Sequence, residues 1–216
     1  MKYKCLVFDH DDTVANSTAV VHWPCFQEYL KDTRPGESIS FDDYMRKNFS
    51  PGFIEMCLED YGFSNEELER EVAYWQRYVE TRIPDAYPGI KEIMDRHKAS
   101  GGILAVISHS MKDNIERDYR HNNLPLPDIT FGWEQPPERR KPNPWPLQQV
   151  MNTFGLKPEE ILMIDDLKPG YDMSKALNVD FAAAGWSNDI PEIEKFMRNN
   201  SDFYFKTIEE LNNFLI

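Results

Sequence analysis

The sequence predicts an α/β protein, a doubly wound parallel sheet with a helical segment inserted near its beginning. Three observations carry that expectation. Short apolar runs recur at residues 4–8, 102–107, 129–133, 161–164 and 179–183, and continuous rather than alternating apolar runs mark parallel strands covered on both faces. Helical patterns lie between them, and a strand–helix–strand alternation implies right-handed crossovers. Residues 16–84 break this rhythm, with several helical stretches and no convincing strand.

The first run follows a basic start and ends at Phe8, directly before Asp9. Within the insert, Ser64-Asn65-Glu66-Glu67 is a capping box ahead of Leu68, Val72, Trp75 and Val79, which recur at helix spacing. Pro88-Gly89 opens a helix that carries Ile90, Ile93 and Met94, and Ser100-Gly101-Gly102 closes it. A helix over 144–154 ends at Gly155, and Thr207-Ile208-Glu209-Glu210 caps a last short one. The expected division is a core of residues 1–15 and 85–216, with an α-helical domain over 16–84.

At 216 residues the chain holds one good-sized core domain plus a smaller insert. A hydrophobic content of 41% argues for a packed protein and against disorder. The net charge of -13 argues against nucleic acid, whose binding depends on Lys and Arg at phosphates, and against an anionic membrane surface. A small anionic substrate remains compatible if a few cations are focused in one cleft. The apolar stretch 103–107 is far too short to span a bilayer. With no signal-peptide pattern ahead of the first strand, the expected location is cytoplasmic. Cys5, Cys25 and Cys57 form neither a C-x-x-C nor an even framework, so packed or incidental thiols are expected.

Four segments can carry chemistry, and three of them end apolar runs, where open α/β sheets bind ligands. Asp9 and Asp11 leave the first strand two positions apart; Asp9 can attack phosphorus, and Asp11 can protonate the leaving oxygen and then activate water. Alone, that spacing is more often a pair of solvated or capping aspartates. Asp165 and Asp166 end another strand and, with Asp9, make an oxygen-rich site suited to magnesium; as an isolated dipeptide they read equally as a helix cap. Ser108 precedes a helix that begins near Met111, so its hydroxyl and nearby backbone N–H groups, that of His109 among them, form a phosphate cradle or a simple N-cap. Lys141, stiffened by Pro142 and Pro144, supplies a cation against the carboxylates, while Arg139 and Arg140 read as a solvated patch.

As an ordered set, Phe8-Asp9-His10-Asp11-Asp12-Thr13, Ser108, Lys141-Pro142-Asn143-Pro144 and Asp165-Asp166 resemble the four motifs of the haloacid dehalogenase superfamily of aspartyl-phosphate phosphotransferases. The helical insert is similar to that family's type 1 cap. Tyr87-Pro88-Gly89 leading into Ser108 is similar to the phosphoglycolate phosphatase and β-phosphoglucomutase branch. The resemblance implies a Rossmann-like core and a phosphatase of a small phosphorylated metabolite. Asp9 would be nucleophile, Asp11 acid/base and Thr13 part of the loop supporting the cap. Ser108, His109 and Lys141 would bind the phosphate, and Mg2+ would be held by Asp9 and Asp166, with the Asp11 carbonyl and Asp165 contributing. The family most often has Gly where Asp12 stands, so a differently conformed turn and a crowding third carboxylate are expected. A further Asp is common where this chain has Gly170, and Asp172 is expected on a helix surface instead. Asp11 argues against dehalogenation, and nothing marks Lys31 or Lys47 as a Schiff-base lysine for phosphonate hydrolysis. Two alternatives stay open: a phosphomutase, for which His22 sits one residue late of a cap-hinge His, and a non-catalytic binding protein. Arg46, Lys47, Trp75, Arg77, Tyr78 and Arg82 are candidates to face a cleft, with Trp75 expected to pack the insert's own core.

Overall fold

The computed structural model describes residues 2–216. The chain forms two compact units, one running to Asn16 and resuming at Asp85, the other spanning Ser17–Pro84. In chain order, β1 (Cys5–Phe8) leads into the second unit. That unit holds a π-helical turn (Thr18–His22), α1 (Trp23–Thr33), α2 (Phe41–Phe49), α3 (Phe53–Glu55), which runs on as a π-helical stretch over Met56–Asp60, and α4 (Asn65–Val79). The first unit then continues with α5 (Ile90–Ala99), β2 (Ile103–Ile107), α6 (Lys112–His121), β3 (Ile129–Phe131), α7 (Trp145–Phe154), β4 (Ile161–Asp165), α8 (Lys168–Ala176), β5 (Asp180–Ala184), α9 (Pro191–Asn200), β6 (Phe203–Phe205) and α10 (Ile208–Phe214).

The six strands form one parallel sheet in the order β3-β2-β1-β4-β5-β6. β1 is flanked by β2 and β4, with Phe8 opposite Val106 on one side and Ile164 on the other. Sequence-distant strand ends therefore meet at one edge of the sheet, on both sides of the point where the winding reverses. β1 and β4 are buried throughout, as central strands must be. Their side chains join Ile90, Ile93 and Met94 of α5 and Ile115 and Tyr119 of α6 in the main core.

The strand over 129–133 is shorter than the apolar run suggests, because after Phe131 the chain bends at Gly132, whose N–H goes to Glu134. β6 is absent from the sequence reading; three residues at a sheet edge carry too little pattern to stand out. Other punctuation acts as expected. Gly155 ends α7 in the left-handed region at φ 63°, and Thr207 caps α10 by accepting from the Glu210 N–H.

In the second unit, Phe26, Tyr29, Leu30, Tyr44, Met56 and Phe63 form a small aromatic-rich core. Ser64 and Glu67 form the expected capping box on α4. The buried stripe of that helix differs from its apolar pattern. Val72 and Trp75 are only partly buried, whereas Glu71 is 3% exposed. Trp75 donates through Nε1 to Nδ1 of His22. Arg77 is exposed, Arg46 and Lys47 pair with Asp43 and Asp60, and the Arg82 guanidinium lies 3.4 Å over the Tyr78 ring.

Burial pushes the Glu71 carboxyl up to about 8, against a smaller opposing pull from His22. The folded chain thus keeps a proton that the unfolded chain releases in the ordinary Glu range. The stability this contributes is full below about pH 4.5 and lost as pH rises through about 8. Glu71→Gln should remove that slope, leaving the variant more stable than wild type at pH 9 by several kcal/mol, roughly 5 for the full shift. Thermal unfolding of both proteins at pH 5 and pH 9 checks this; equal pH slopes would refute it.

Candidate active site

The site is built where β1, β2 and β4 end. Asp9 prolongs β1, its N–H donating to Ile164 at 2.9 Å, and its side chain is buried. Asp165 is the last residue of β4 and Asp166 follows it; both are buried. Lys141, also buried, reaches across from the loop before α7, with Nζ 2.6 Å from Asp165 Oδ2 and 2.9 Å from Asp9 Oδ1. Its peptide bond to Pro142 is cis. Carboxylate oxygens of Asp9, Asp165 and Asp166 lie within 4.8 Å of one another.

The charges of this cluster do not balance. Burial works against the Lys141 ammonium, but Asp165 and Asp9 together outweigh it and raise its pKa. Asp166 is held well above the ordinary carboxylate range by burial first, then by the charge of Asp12, with Asp165 and Asp9 adding. Its Oδ1 accepts from Thr13 Oγ1 at 3.3 Å, while Oδ2 is buried with no hydrogen-bond partner among the described residues. Three buried carboxylates against one ammonium leave an excess of negative charge that a hard divalent cation suits. The donor set therefore fits magnesium through Asp9, Asp165 and Asp166. The Asp11 carboxylate stands outside that set, accepting from Ser110 Oγ at 2.7 Å and Ser108 Oγ at 3.3 Å.

Asp12 takes φ 57°, the left-handed region that favours glycine, and its N–H closes the turn on the Ala15 carbonyl at 2.7 Å. The turn is thus made with a residue that carries a small steric penalty, and the third carboxylate does act on Asp166. Gly170, on α8, has no room for a side chain: a Cβ there would stand 2.1 Å from Asp165 Oδ2. Asp172 pairs with Lys168 on the surface of the same helix.

Several contacts were not foreseen. Ser110 shares the hold on Asp11, and a second serine two positions after Ser108 was its one signal. His109 contributes its side chain: Nε2–H donates to the Lys141 carbonyl at 2.9 Å, and the ring meets the edge of Trp133. Burial lowers its pKa to about 4, with the Lys141 charge adding, so the ring is neutral. Arg140 is not a solvated residue, for it lies 3.9 Å over the Trp133 ring and donates to the Gln135 carbonyl. Arg139, more exposed, lies 4.9 Å over Trp145. Trp186 donates to the Thr13 carbonyl at 3.2 Å, bracing the loop after β1 from the β5 side.

The family model for haloacid dehalogenase-like hydrolases matches residues 6–184. The chain belongs to that family. It is similar to the protein CbbY of Rhodobacter capsulatus, at 27% identity over 89% of this chain and 95% of that one. It is also similar to a phosphoglycolate phosphatase of Aquifex aeolicus, at 24% identity over 85% of each. Among solved structures, CbbY of Rhodobacter sphaeroides superposes with a TM-score of 0.73 at 16% identity, over 97% of this chain and 96% of that one. This haloacid dehalogenase-like chain is a hydrolase. No helix of its described residues is long and apolar enough to cross a membrane.

Gly170→Ala tests how tightly the site is built. Helix propensity alone would favour alanine by about 1 kcal/mol. The clash with Asp165 should instead destabilise the protein by roughly 1–3 kcal/mol and weaken any hold of the acidic cluster on a divalent cation. Urea unfolding and titration calorimetry report the two effects, and an unchanged or higher stability would contradict the packing described.

Proposed function

We propose that the chain is a magnesium-dependent phosphatase of a small phosphorylated metabolite, working through an aspartyl phosphate on Asp9. The observation that carries this reading is Lys141 Nζ held between Asp9 and Asp165, beside the buried carboxylates of the acidic cluster. Asp9 would attack phosphorus, forming a P–O bond as the bond to the leaving oxygen breaks. Asp11, held by Ser108 and Ser110, would give that oxygen a proton and later take one from the attacking water. Ser108, the backbone at His109 and Lys141 would bind the phosphoryl oxygens. Asp9, Asp165 and Asp166, with the Asp11 carbonyl, would hold magnesium, which when bound supplies charge neutralisation at the transferring group. The helical unit over Ser17–Pro84 would serve as the cap that selects substrate. The similarity to a phosphoglycolate phosphatase, to pyrophosphatases and to a CbbY that binds xylulose bisphosphate supports a small phosphorylated substrate without singling out one. Three buried free cysteines suit a reducing, cytoplasmic compartment.

A phosphomutase would share the chemistry at Asp9 and differ in admitting a sugar hydroxyl in place of water. His22 is the residue that would mark it, and its Nδ1 is engaged by the Trp75 indole within the helical unit.

Hydrolysis of p-nitrophenyl phosphate with magnesium, and its loss in excess chelator, is the expected behaviour. A panel of sugar phosphates, phosphoglycolate and nucleotides then narrows the substrate. Asp9→Asn should abolish turnover with the fold intact, and substantial residual activity would sink the covalent route. Asp11→Asn should still form the phosphoenzyme from an activated ester but hydrolyse it slowly; normal hydrolysis would place the acid/base elsewhere. No release from any ester by a folded wild-type enzyme would favour the mutase or a binding role.

A further inference from the structure

His10 stands between the two aspartates, yet its side chain faces the other way. Asp9 reaches Lys141 and Asp11 reaches Ser108 and Ser110, whereas His10, at the bend between them, reaches α6. The imidazole is 2% exposed, with Nε2 3.1 Å from Asp118 Oδ2 on α6. Asp118 is buried too, and its Oδ1 accepts from Arg117 Nε at 2.8 Å and faces Nη2 at 2.7 Å. Nδ1 of His10 is buried without a hydrogen-bond partner among the described residues, so Asp118 sets the orientation of the ring. The backbone is pinned at the same residue, where the His10 carbonyl accepts from the N–H groups of Val14 and Ala15, each at 3.0 Å.

Burying an imidazole and a carboxylate costs several kcal/mol of desolvation, and apolar replacements of such pairs are often neutral or stabilising. Fold stability alone is thus a weak reason for a His at this position, beside Tyr119 and the main core. We propose that His10 and Asp118 are a positioning pair, which ties the peptide between Asp9 and Asp11 to α6 so that both carboxylates keep their aim. The proposal rests on the roles assigned to Asp9 and Asp11 above. Neither residue of the pair touches the reacting atoms; each acts through the loop that carries them. A side chain that merely filled the space would leave the loop free to rotate about that peptide, and near-attack geometry is sensitive to such shifts.

The test uses the full chain with p-nitrophenyl phosphate and magnesium, alongside melting temperatures and inhibition by orthovanadate, an analogue of the transferring phosphoryl group. His10→Leu and Asp118→Ala should each lower kcat by about 10-fold or more, with KM within about threefold and the vanadate inhibition constant raised in parallel. The melting temperature of His10→Leu should hold or rise. His10→Gln, whose amide N–H can stand where Nε2 does, should keep most of the activity. The double variant His10→Leu/Asp118→Ala should lose no more than either single one, because both cut the same bond. Folded variants with wild-type kcat, additive losses, or losses that merely track melting temperature would overturn the proposal. If His10→Leu does not fold, the contrast between Asp118→Ala and His10→Gln decides the matter by the same criteria. Turnover by Asp9→Asn would count against the nucleophile assignment, a separate result from any seen at His10.

Discussion

One buried ammonium organises this structure. Lys141 lies between two carboxylates that the sheet would otherwise press together uncompensated, Asp9 at the end of β1 and Asp165 at the end of β4. Carboxylates this close and this dry repel one another strongly, and a charge left unpaired there is far costlier than one in water. The lysine meets part of that demand and leaves the rest, at Asp166, for a cation. The loops around the site serve to keep this unstable arrangement in register.

The bracing comes from several directions. His109 fastens the Lys141 carbonyl, and Trp133 and Arg140 stack behind it, so the lysine's loop folds back on the residue after Ser108. Thr13 ties the loop after β1 to Asp166, Trp186 holds the same loop by its backbone, and His10 ties it to α6. Leu167 donates to Asp165 Oδ1, and Gly170 leaves the space in which Asp165 Oδ2 can reach the lysine. Each contact trades local freedom for direction, which is what preorganised electrostatic catalysis requires of its scaffold.

A different use of burial marks the second unit. Its aromatic core is ordinary, but Glu71 is buried in the same unit, and the pull of His22 is too small to offset its desolvation, so the carboxyl stays protonated well above its usual range. The sequence pattern of α4 gave no hint of this. Glu71 lies between Leu68, Val72 and Trp75, and helical periodicity records which face is apolar without saying which polar residue is carried inside.

The amino-acid sequence by itself determined the sheet's central strands, the helical interruption after β1 and the four chemical segments, because continuous apolar runs, capping residues and a D-x-D at a strand end are local signals. It also marked Gly155 and Thr207 as helix boundaries, where a single residue's conformational preference suffices. What only the tertiary structure decided is long-range. β6 is too short to announce itself, and it forms because β5 offers an edge. Arg140 reads as solvated until Trp133 is placed beneath it, His109 as a backbone contact until the Lys141 loop folds over it, and His10 as a spacer until α6 brings up Asp118. Those three partnerships join residues that no periodicity links, and charges, rings and carbonyls acquire their roles only when the sheet brings their partners within hydrogen-bond distance.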